Sequence, residues 1–266
     1  MPVKQYHYHV FTTDDKQSGN PALVITDFYG DKDHMQVIAR DSGSPATIFM
    51  LTGKKFPLLR IFYPDMEASL CVHGALAAAK FLFDHYSEKT SLYCENNANE
   101  LYCFSKDKND VIQMKLSKQQ PPIVTLDENT MSTLLNLDSA QRICKTLPCR
   151  VESVGSPKWL IPLVSKEVLS TLQPNVDAIK AWSIKHRVNG LYVYSEEHDH
   201  IIARNFNPKT GILEDSGTGV AAGALSLALK KNLRIAQGEF IQQPSEIFTT
   251  YKNDREIFVG GRIRCY

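Results

Sequence analysis

Two short segments carry the side chains best suited to moving a proton, and an apolar, Ala-rich stretch follows each of them. The first is Cys71-Val-His-Gly74 and the second is Asp215-Ser-Gly-Thr-Gly219. A thiolate, an imidazole or a carboxylate can take up and return a proton. If the apolar stretches are helices, free backbone N–H groups at their starts favour an anion there, and they lower the cost of forming the Cys71 thiolate.

These segments predict a division of labour between side chains and backbone. We expect His73 and Asp215, with Cys71, to transfer the proton. Close approach to a ligand suits glycine and a backbone donor, so a bound carboxylate is expected to contact the helix starts. Ser216 is expected to cap the second helix at the place of Cys71, since its hydroxyl is a poor base. The predicted anion-contacting residues are Gly74, Ser216, Gly217, Thr218 and Gly219.

Each candidate also has a purely structural interpretation. Cys71 fits the pattern of a small buried hydrophobe at a helix start, where free cysteine is commonly inert. His73 could instead bond a backbone carbonyl, and Asp215 could serve only as a cap or first-turn acid. The sequence alone leaves these alternatives open.

An internal repeat predicts how the two segments are held. Arg60-Ile-Phe-Tyr-Pro64 precedes the first segment, and Arg204-Asn-Phe-Asn-Pro208 precedes the second. An earlier turn is doubled too, as Gly19-Asn-Pro21 and Gly155-Ser-Pro157. A repeat of half the chain predicts two homologous lobes with a cleft between them.

Periodicity predicts an α+β fold, in which each lobe is a mixed β half-barrel around one buried helix. The lobes are expected at residues 1–118 and 119–266, with the last strand near 257–266 returning to the first. Predicted helices span residues 33–41, 74–86, 176–186 and 219–231. Predicted strands span residues 6–12, 22–26, 46–51, 60–64, 91–94, 101–105, 111–116, 149–154, 159–164, 190–195, 204–208, 239–243, 247–251 and 257–264. A polar loop is expected after each of the strands at 60–64 and 204–208, before the buried helix.

Composition excludes several classes of function. A net charge of +1 with scattered basic residues argues against a nucleic-acid partner. No apolar segment is long enough for a signal peptide or membrane span, and six irregularly spaced cysteines are typical of reduced thiols, so we expect a cytoplasmic protein. Local zinc and nucleotide motifs are absent from the sequence, which predicts no metal site.

The whole chain resembles the phenazine-biosynthesis PhzF-like family, relatives of diaminopimelate epimerase and proline racemase. Five motifs carry the resemblance by their order and spacing: Val10-Phe-Thr followed by Gly19-Asn-Pro21, Met35-Gln-Val-Ile-Ala-Arg40, Arg60-Ile-Phe-Tyr-Pro64, Cys71-Val-His-Gly-Ala-Leu-Ala-Ala-Ala79 and Glu214-Asp-Ser-Gly-Thr-Gly219. The resemblance implies a diaminopimelate-epimerase-like fold in a homodimer. It also implies proton transfer next to a carboxylate without cofactor or metal, and a ligand contact for Asn20, which otherwise suits a turn.

Carried over position by position, the family pattern is incomplete. His73 and Asp215 match its histidine and aspartate, whereas the position of its glutamate base falls on Ala46. Val220 replaces its serine, and Ser216 its proline. Compared with the epimerases, Cys71 matches the first catalytic cysteine and Ser216 stands at the second.

Two functions therefore follow as hypotheses. The first is a cofactor-independent isomerase or epimerase-like enzyme that moves a proton on a small carboxylate metabolite in the cleft. The alternative is a small-acid binding protein that kept the cleft and lost the glutamate base at Ala46.

Overall fold

The computed structural model describes residues 3–51, 55–86, 88–137 and 142–266. The chain divides into two compact units: unit 1 comprises Met1–Lys115 and Val259–Tyr266, and unit 2 comprises Leu116–Phe258. In the described ranges, no helix is long and apolar enough to cross a membrane.

Unit 1 is built on seven strands that pair side by side, with the carboxyl-terminal strand added at one edge. The strand order is β16-β1-β2-β3-β4-β5-β6-β7. β2–β3 and β4–β5 are parallel pairs, and the remaining pairs from β16 to β7 are antiparallel. The strands are β1 Lys4–Val10, β2 Asn20–Thr26, β3 Thr47–Leu51, β4 Leu58–Phe62, β5 Ser91–Asn96, β6 Leu101–Lys106, β7 Ile112–Ser117 and β16 Ile263–Cys265.

Two helices cover the two faces of this sheet. Alternate strand residues, among them Ile25 and Phe49, pack on one face against α1 (Lys32–Asp41). The opposite face surrounds α2 (Val72–His85), which contacts strands β1 to β5 and β16 and is buried on almost every side. Small alanines let this helix lie close to the strands, as its composition predicts.

Unit 2 repeats this pattern of pairing. Its strand order is β14-β13-β11-β10-β9-β8, with β12 beside β11. β9–β10 and β11–β13 are parallel and the other pairs on this path are antiparallel, the same alternation as in β1 to β6. The strands are β8 Arg150–Glu152, β9 Lys158–Pro162, β10 Leu191–Glu196, β11 Ile201–Asn207, β12 Ile212–Asp215, β13 Leu233–Gln237, β14 Ser245–Asn253 and β15 Glu256–Gly261.

The helices of unit 2 also lie on two faces. Trp159, Ile161 and Val193 pack against one group of helices, α3 (Glu128–Leu135), α4 (Lys166–Ser170) and α5 (Val176–His186). The other face contacts α6 (Gly219–Leu229). The unit boundaries fall within β7 and β15.

Several predicted elements differ from the structure. The strand expected at residues 239–243 is wrong: Glu239–Ile241 is a 3-10 turn, and the strand is β13. Gly238, at φ +83°, ends β13 in a left-handed turn, and the alternation of Leu233, Ile235 and Gln237 marks that strand. The segment before Ser216 contains β12 rather than only loop.

Candidate functional site

The start of α2 places a thiol and an imidazole side by side. Cys71 is the N-cap residue, and its side chain makes no hydrogen bond of capping geometry. Its Sγ lies 3.3 Å from Nδ1 of His73 and 4.0 Å from Nε2. Both side chains are buried, which strengthens their electrostatic interaction.

This pairing determines the ionisation of the thiol. Burial by itself raises the pKa of Cys71, whereas the charge and hydrogen bond of His73 lower it. The Gly74 N–H and the Tyr63 side chain also lower it, and the net pKa lies below that of an ordinary thiol. The start of α2 therefore favours the thiolate form of Cys71 beside His73.

Space beside the sulfur depends on Gly74. A Cβ at this position would lie 3.3 Å from Sγ of Cys71 and equally close to the Ile48 side chain.

Tyr102 belongs to the same polar surroundings: its hydroxyl donates to the Ser69 carbonyl at 3.2 Å. Burial, and then the charge of Cys71, raise the pKa of this tyrosine, so it stays a neutral donor.

An arginine–glutamate ion pair precedes each buried helix. Arg60 binds Glu67 through two bonds of 2.9 Å. Arg204 binds Glu214 through bonds of 2.9 and 2.7 Å. Each glutamate stands four residues before its helix's N-cap, and the N-cap of α6 is Thr218.

The repeat is therefore aligned differently from the sequence prediction. The counterpart of Cys71 is Thr218, and Ser216, expected to cap the second helix, lies two residues before the cap. The motif comparison matched glycine with glycine, but α2 begins at Val72 and α6 at Gly219. Helix starts are defined by backbone geometry, and the two matched glycines stand at different positions, since Gly74 is the third residue of α2 and Gly219 the first of α6.

A hydrogen-bond network joins Asp215 to the start of α6. Thr218 Oγ1 donates to Oδ2 of Asp215 at 2.5 Å. The amide nitrogen of Gln237 donates to the Asp215 carbonyl at 2.7 Å and to Thr218 Oγ1 at 3.0 Å. Its amide oxygen accepts from the Thr218 N–H at 3.3 Å and from the Tyr192 hydroxyl at 3.1 Å.

The network leaves Asp215 without a capping role, although a cap was one of its open interpretations. Its side chain accepts from a hydroxyl, and it precedes the N-cap by three residues. Ser216 is buried, and Gly219 is the first residue of the helix. Asp215, Thr218 and Gly219 thus lie together at one end of α6.

Three other predicted positions have defined surroundings. Asn20, the first residue of β2, is buried and pairs with Val10. Ala46 is also buried, and its carbonyl accepts from the Leu23 N–H and the Ser44 hydroxyl. Val220, at the position where the family pattern has serine, is the second residue of α6 and is partly exposed.

Sequence reasoning missed Gln237, Tyr192 and Lys158. The first two carry no motif, because their contacts arise from strands far apart in sequence. Lys158 offered a signal, since it occupies the position after the Gly-x-Pro turn that Ala22 fills in the first half. In the described ranges, no group of three or more His, Cys, Asp or Glu residues could hold a metal ion.

Comparison with known proteins identifies one family. The family model described as phenazine biosynthesis-like protein matches residues 8–262. An uncharacterized isomerase of Clostridium acetobutylicum is 29% identical over 82% of this chain and 76% of the relative. A trans-2,3-dihydro-3-hydroxyanthranilate isomerase of Pseudomonas chlororaphis is 26% identical over 86% of this chain and 84% of the relative.

Solved structures agree on the fold. A phenazine biosynthesis protein of the PhzF family from Bacillus anthracis has a TM-score of 0.83 at 21% identity, covering 100% of this chain and 97% of the other. A hydroxyproline epimerase from Agrobacterium vitis has a TM-score of 0.57 at 10% identity, covering 99% and 91%. The predicted fold class and family resemblance are both confirmed.

Proposed function

Because the chain belongs to the phenazine biosynthesis-like protein family, we propose that it is a cofactor-independent isomerase of a small carboxylate metabolite. The observation that carries the proposal is the buried Cys71–His73 pair, 3.3 Å apart at the start of α2. A paired thiol and imidazole exchange a proton readily, and perturbed ionisable pairs of this kind cluster at functional sites.

The reaction proposed is removal and return of one proton next to a carboxylate. A base takes the proton, and the C–H electron pair moves into the carboxylate as an enolate-like charge. Backbone donors at the helix starts stabilise that charge, as such donors do in an oxyanion hole. The proton then returns to carbon at another position or on the other face.

We assign the roles to residues at both helix starts, which we propose to act on one substrate. His73 and Asp215, with Cys71, transfer the proton, and the Cys71 thiol exchanges its own proton with the neighbouring imidazole of His73. Gly74, Gly217, Thr218 and Gly219 contact the carboxylate, and Ser216 and Asn20 complete the binding site. The tight Thr218–Asp215 hydrogen bond supports this assignment, because it keeps the acid beside the helix start.

The substrate class proposed is a ring that bears a carboxylate and a hydroxyl or amino group. The relative from Pseudomonas chlororaphis is named for such a compound, trans-2,3-dihydro-3-hydroxyanthranilate. This chain lacks the glutamate of the family pattern, so the base is proposed to be His73 or Asp215. We further propose that the protein acts in the cytoplasm as a homodimer.

Isotope exchange tests the proposal. Protein incubated with trans-2,3-dihydro-3-hydroxyanthranilate and related cyclic acids in deuterated water should place solvent deuterium on substrate carbon, read by mass spectrometry. His73→Ala should slow labelling by about 100-fold or more, since general acid–base groups contribute on this scale. Cys94→Ala is the matched control, because burial raises the pKa of that thiol to about 12.

The outcomes separate the candidate residues. Absence of label from every acid tested would refute the isomerase. Unchanged turnover in Cys71→Ala would remove the thiol from the mechanism and leave His73 in it. Unchanged turnover in Asp215→Asn would remove the aspartate in the same way.

A binding protein is the second candidate, and Ala46 favours it. This residue is buried and has no ionisable group. A cyclic acid that raises the melting temperature without being labelled would support binding alone. Turnover gained by Ala46→Glu but not by Ala46→Gln would show that the missing carboxylate limits catalysis.

A further inference from the structure

Unit 2 buries a lysine that has no part in the proposed reaction. Lys158, the first residue of β9, is only 1% exposed. Its ammonium donates to the backbone carbonyl of Asn189. A buried ammonium is costly unless other groups compensate its charge, so this residue calls for a partner.

Asn189 is the residue that holds the ammonium in place. Its N–H donates to the Pro157 carbonyl at 2.7 Å, and its side-chain amide donates to the Ser156 hydroxyl at 2.6 Å. Its amide oxygen accepts from Nζ of Lys209 at 3.0 Å. The loop before β10 therefore ties the Gly-x-Pro turn to two ammonium groups.

The charged groups around Lys158 come from several elements. Asp215 on β12 attracts the ammonium, and Lys209 repels it. Glu152 lies opposite Lys158 in the register between β8 and β9. The Glu152 carboxylate forms ion pairs with Lys118 at 3.6 Å and with Arg150 at 3.3 Å. On β10, burial and then the charge of Asp215 raise the pKa of Tyr192, which keeps its phenol neutral.

Strand register places Asp215 on the same face of the sheet as Lys158. Asp215 pairs with Asn205, Asn205 with Tyr192, and Tyr192 with Leu160, two residues after Lys158 on β9. Asp215 is thus the carboxylate whose charge acts on both buried groups, Lys158 and Tyr192. We propose that Lys158 is a positioning residue for Asp215. The Lys158 ammonium balances the charge of the Asp215 carboxylate and so keeps the start of α6 able to bind an anion. When Lys158 releases its proton, the balance is lost and anion binding weakens. The inference rests on the proposed function of Asp215.

The ionisation of Lys158 supports this coupling. Burial lowers the pKa of Lys158 to about 7, the charge of Asp215 opposes the shift, and Lys209 adds to it. The ammonium therefore changes charge near neutral pH, unlike an ordinary lysine. The matching position in unit 1, after its Gly-x-Pro turn, is Ala22, which carries no charge.

Nuclear magnetic resonance of lysine labelled with ¹³C at Cε tests the coupling without any substrate. The Lys158 signal, identified by its loss in Lys158→Met, should titrate near pH 7. Asp215→Asn should lower the midpoint by about half to one pH unit, and Lys209→Met should raise it by less. Asp254→Asn, which removes an exposed carboxylate paired with Lys230, should leave the midpoint unchanged.

A Lys158 signal that titrates with the surface lysines would overturn the inference, and so would a midpoint that Asp215→Asn does not move. Asp215→Asn and Lys209→Met retain the lysine, so their titrations do not depend on the folding of Lys158→Met. Coupling without isotope exchange would refute the isomerase alone.

The pH dependence of turnover provides a second test, because a purely structural role of Lys158 would not change it. In the wild type, turnover should fall as pH rises through about 7, because Lys158 loses its charge. Lys158→Arg keeps a charge at every pH, so its turnover should persist above pH 7, while Lys158→Met should be slow throughout. Identical pH profiles for wild type and Lys158→Arg would contradict the positioning role.

Discussion

The starts of α2 and α6 share a scaffold and differ in chemistry. Both follow an arginine–glutamate pair, with the glutamate four residues before the N-cap. At α2 the ionisable groups are Cys71 and His73, in contact within the helix's first residues. At α6 the N-cap is neutral Thr218, and the acid is Asp215, three residues earlier.

The difference teaches that a duplicated fold preserves the helix start more strictly than the reactive group. Each start offers free backbone N–H groups and a positive dipole end, whichever side chain stands beside it. A thiol needs a charged neighbour to ionise there, and His73 supplies one. At α6 the hydrogen bonds from Thr218 and Gln237 instead hold Asp215 in position beside the helix start.

The largest expected effect is a loss of stability, and it should differ between the two arginine–glutamate ion pairs. Arg204→Met should lower the free energy of unfolding by about 3–5 kcal/mol, since it leaves the Glu214 side chain, only 10% exposed, without its charge partner. It also removes donors from the Leu169 and Leu172 carbonyls. Urea denaturation measures the loss.

Arg60→Met is the matched variant in unit 1. Its loss should be smaller, about 1–3 kcal/mol, because Glu67 keeps Lys32 at 3.1 Å and Asn97 at 2.8 Å. Equal losses in the two variants would show that Lys32 and Asn97 do not compensate Glu67 for the lost arginine.

The next effect is a pH dependence of stability that arises from Lys158, which follows the second Gly-x-Pro turn; Ala22 follows the first. The pKa of Lys158, about 7, lies below the ordinary value of 10.5, so between these pH values the unfolded chain binds more protons and stability rises with pH. Lys158→Met should therefore stabilise the protein most below pH 7, on the order of a few kcal/mol, and least near pH 10.5. Melting temperatures across this range test it, and a gain that does not vary with pH would contradict it.

A smaller effect concerns the amides that end matching strands. Gln237 ends β13 and bonds Thr218, Asp215 and Tyr192. Gln237→Leu should cost about 1–3 kcal/mol and speed amide hydrogen exchange at the start of α6, because buried polar groups lose their partners.

The matched residue in unit 1 is Asn96, which ends β5. Its oxygen accepts from the N–H groups of Ala98 and Glu100, so it holds the following turn. Asn96→Leu should speed exchange in that turn and leave the start of α2 protected. Faster exchange at α2 would show that both amides serve their helix starts.

The smallest effect compares two buried cysteines. His73 lowers the pKa of the Cys71 thiol, whereas burial raises that of Cys94 to about 12. Cys71 should therefore react with iodoacetamide at neutral pH at least about tenfold faster than Cys94, measured by peptide mass spectrometry. His73→Ala should remove the advantage; an unchanged ratio would mean that access, rather than ionisation, sets the rates.

Much of the fold follows from local pattern. The buried helix of each unit and the alternation of strands have clear apolar signals, and α5 has the predicted bounds, residues 176–186. Gly19 and Gly155 both have positive φ, as the doubled turn predicts. The predictions for β12, expected as a loop, and for residues 239–243, expected as a strand, were wrong. Strand pairing, rather than local composition, determines the structure of both segments.

The sequence by itself determined the family, the fold class and the candidate residues, because motifs and apolar periodicity are local properties of the chain. Only the tertiary structure decided that Thr218 is the counterpart of Cys71, that Gln237 and Tyr192 reach the start of α6, and that Lys158 is buried. Those facts depend on strand register and side-chain burial, which bring together residues that no local pattern connects.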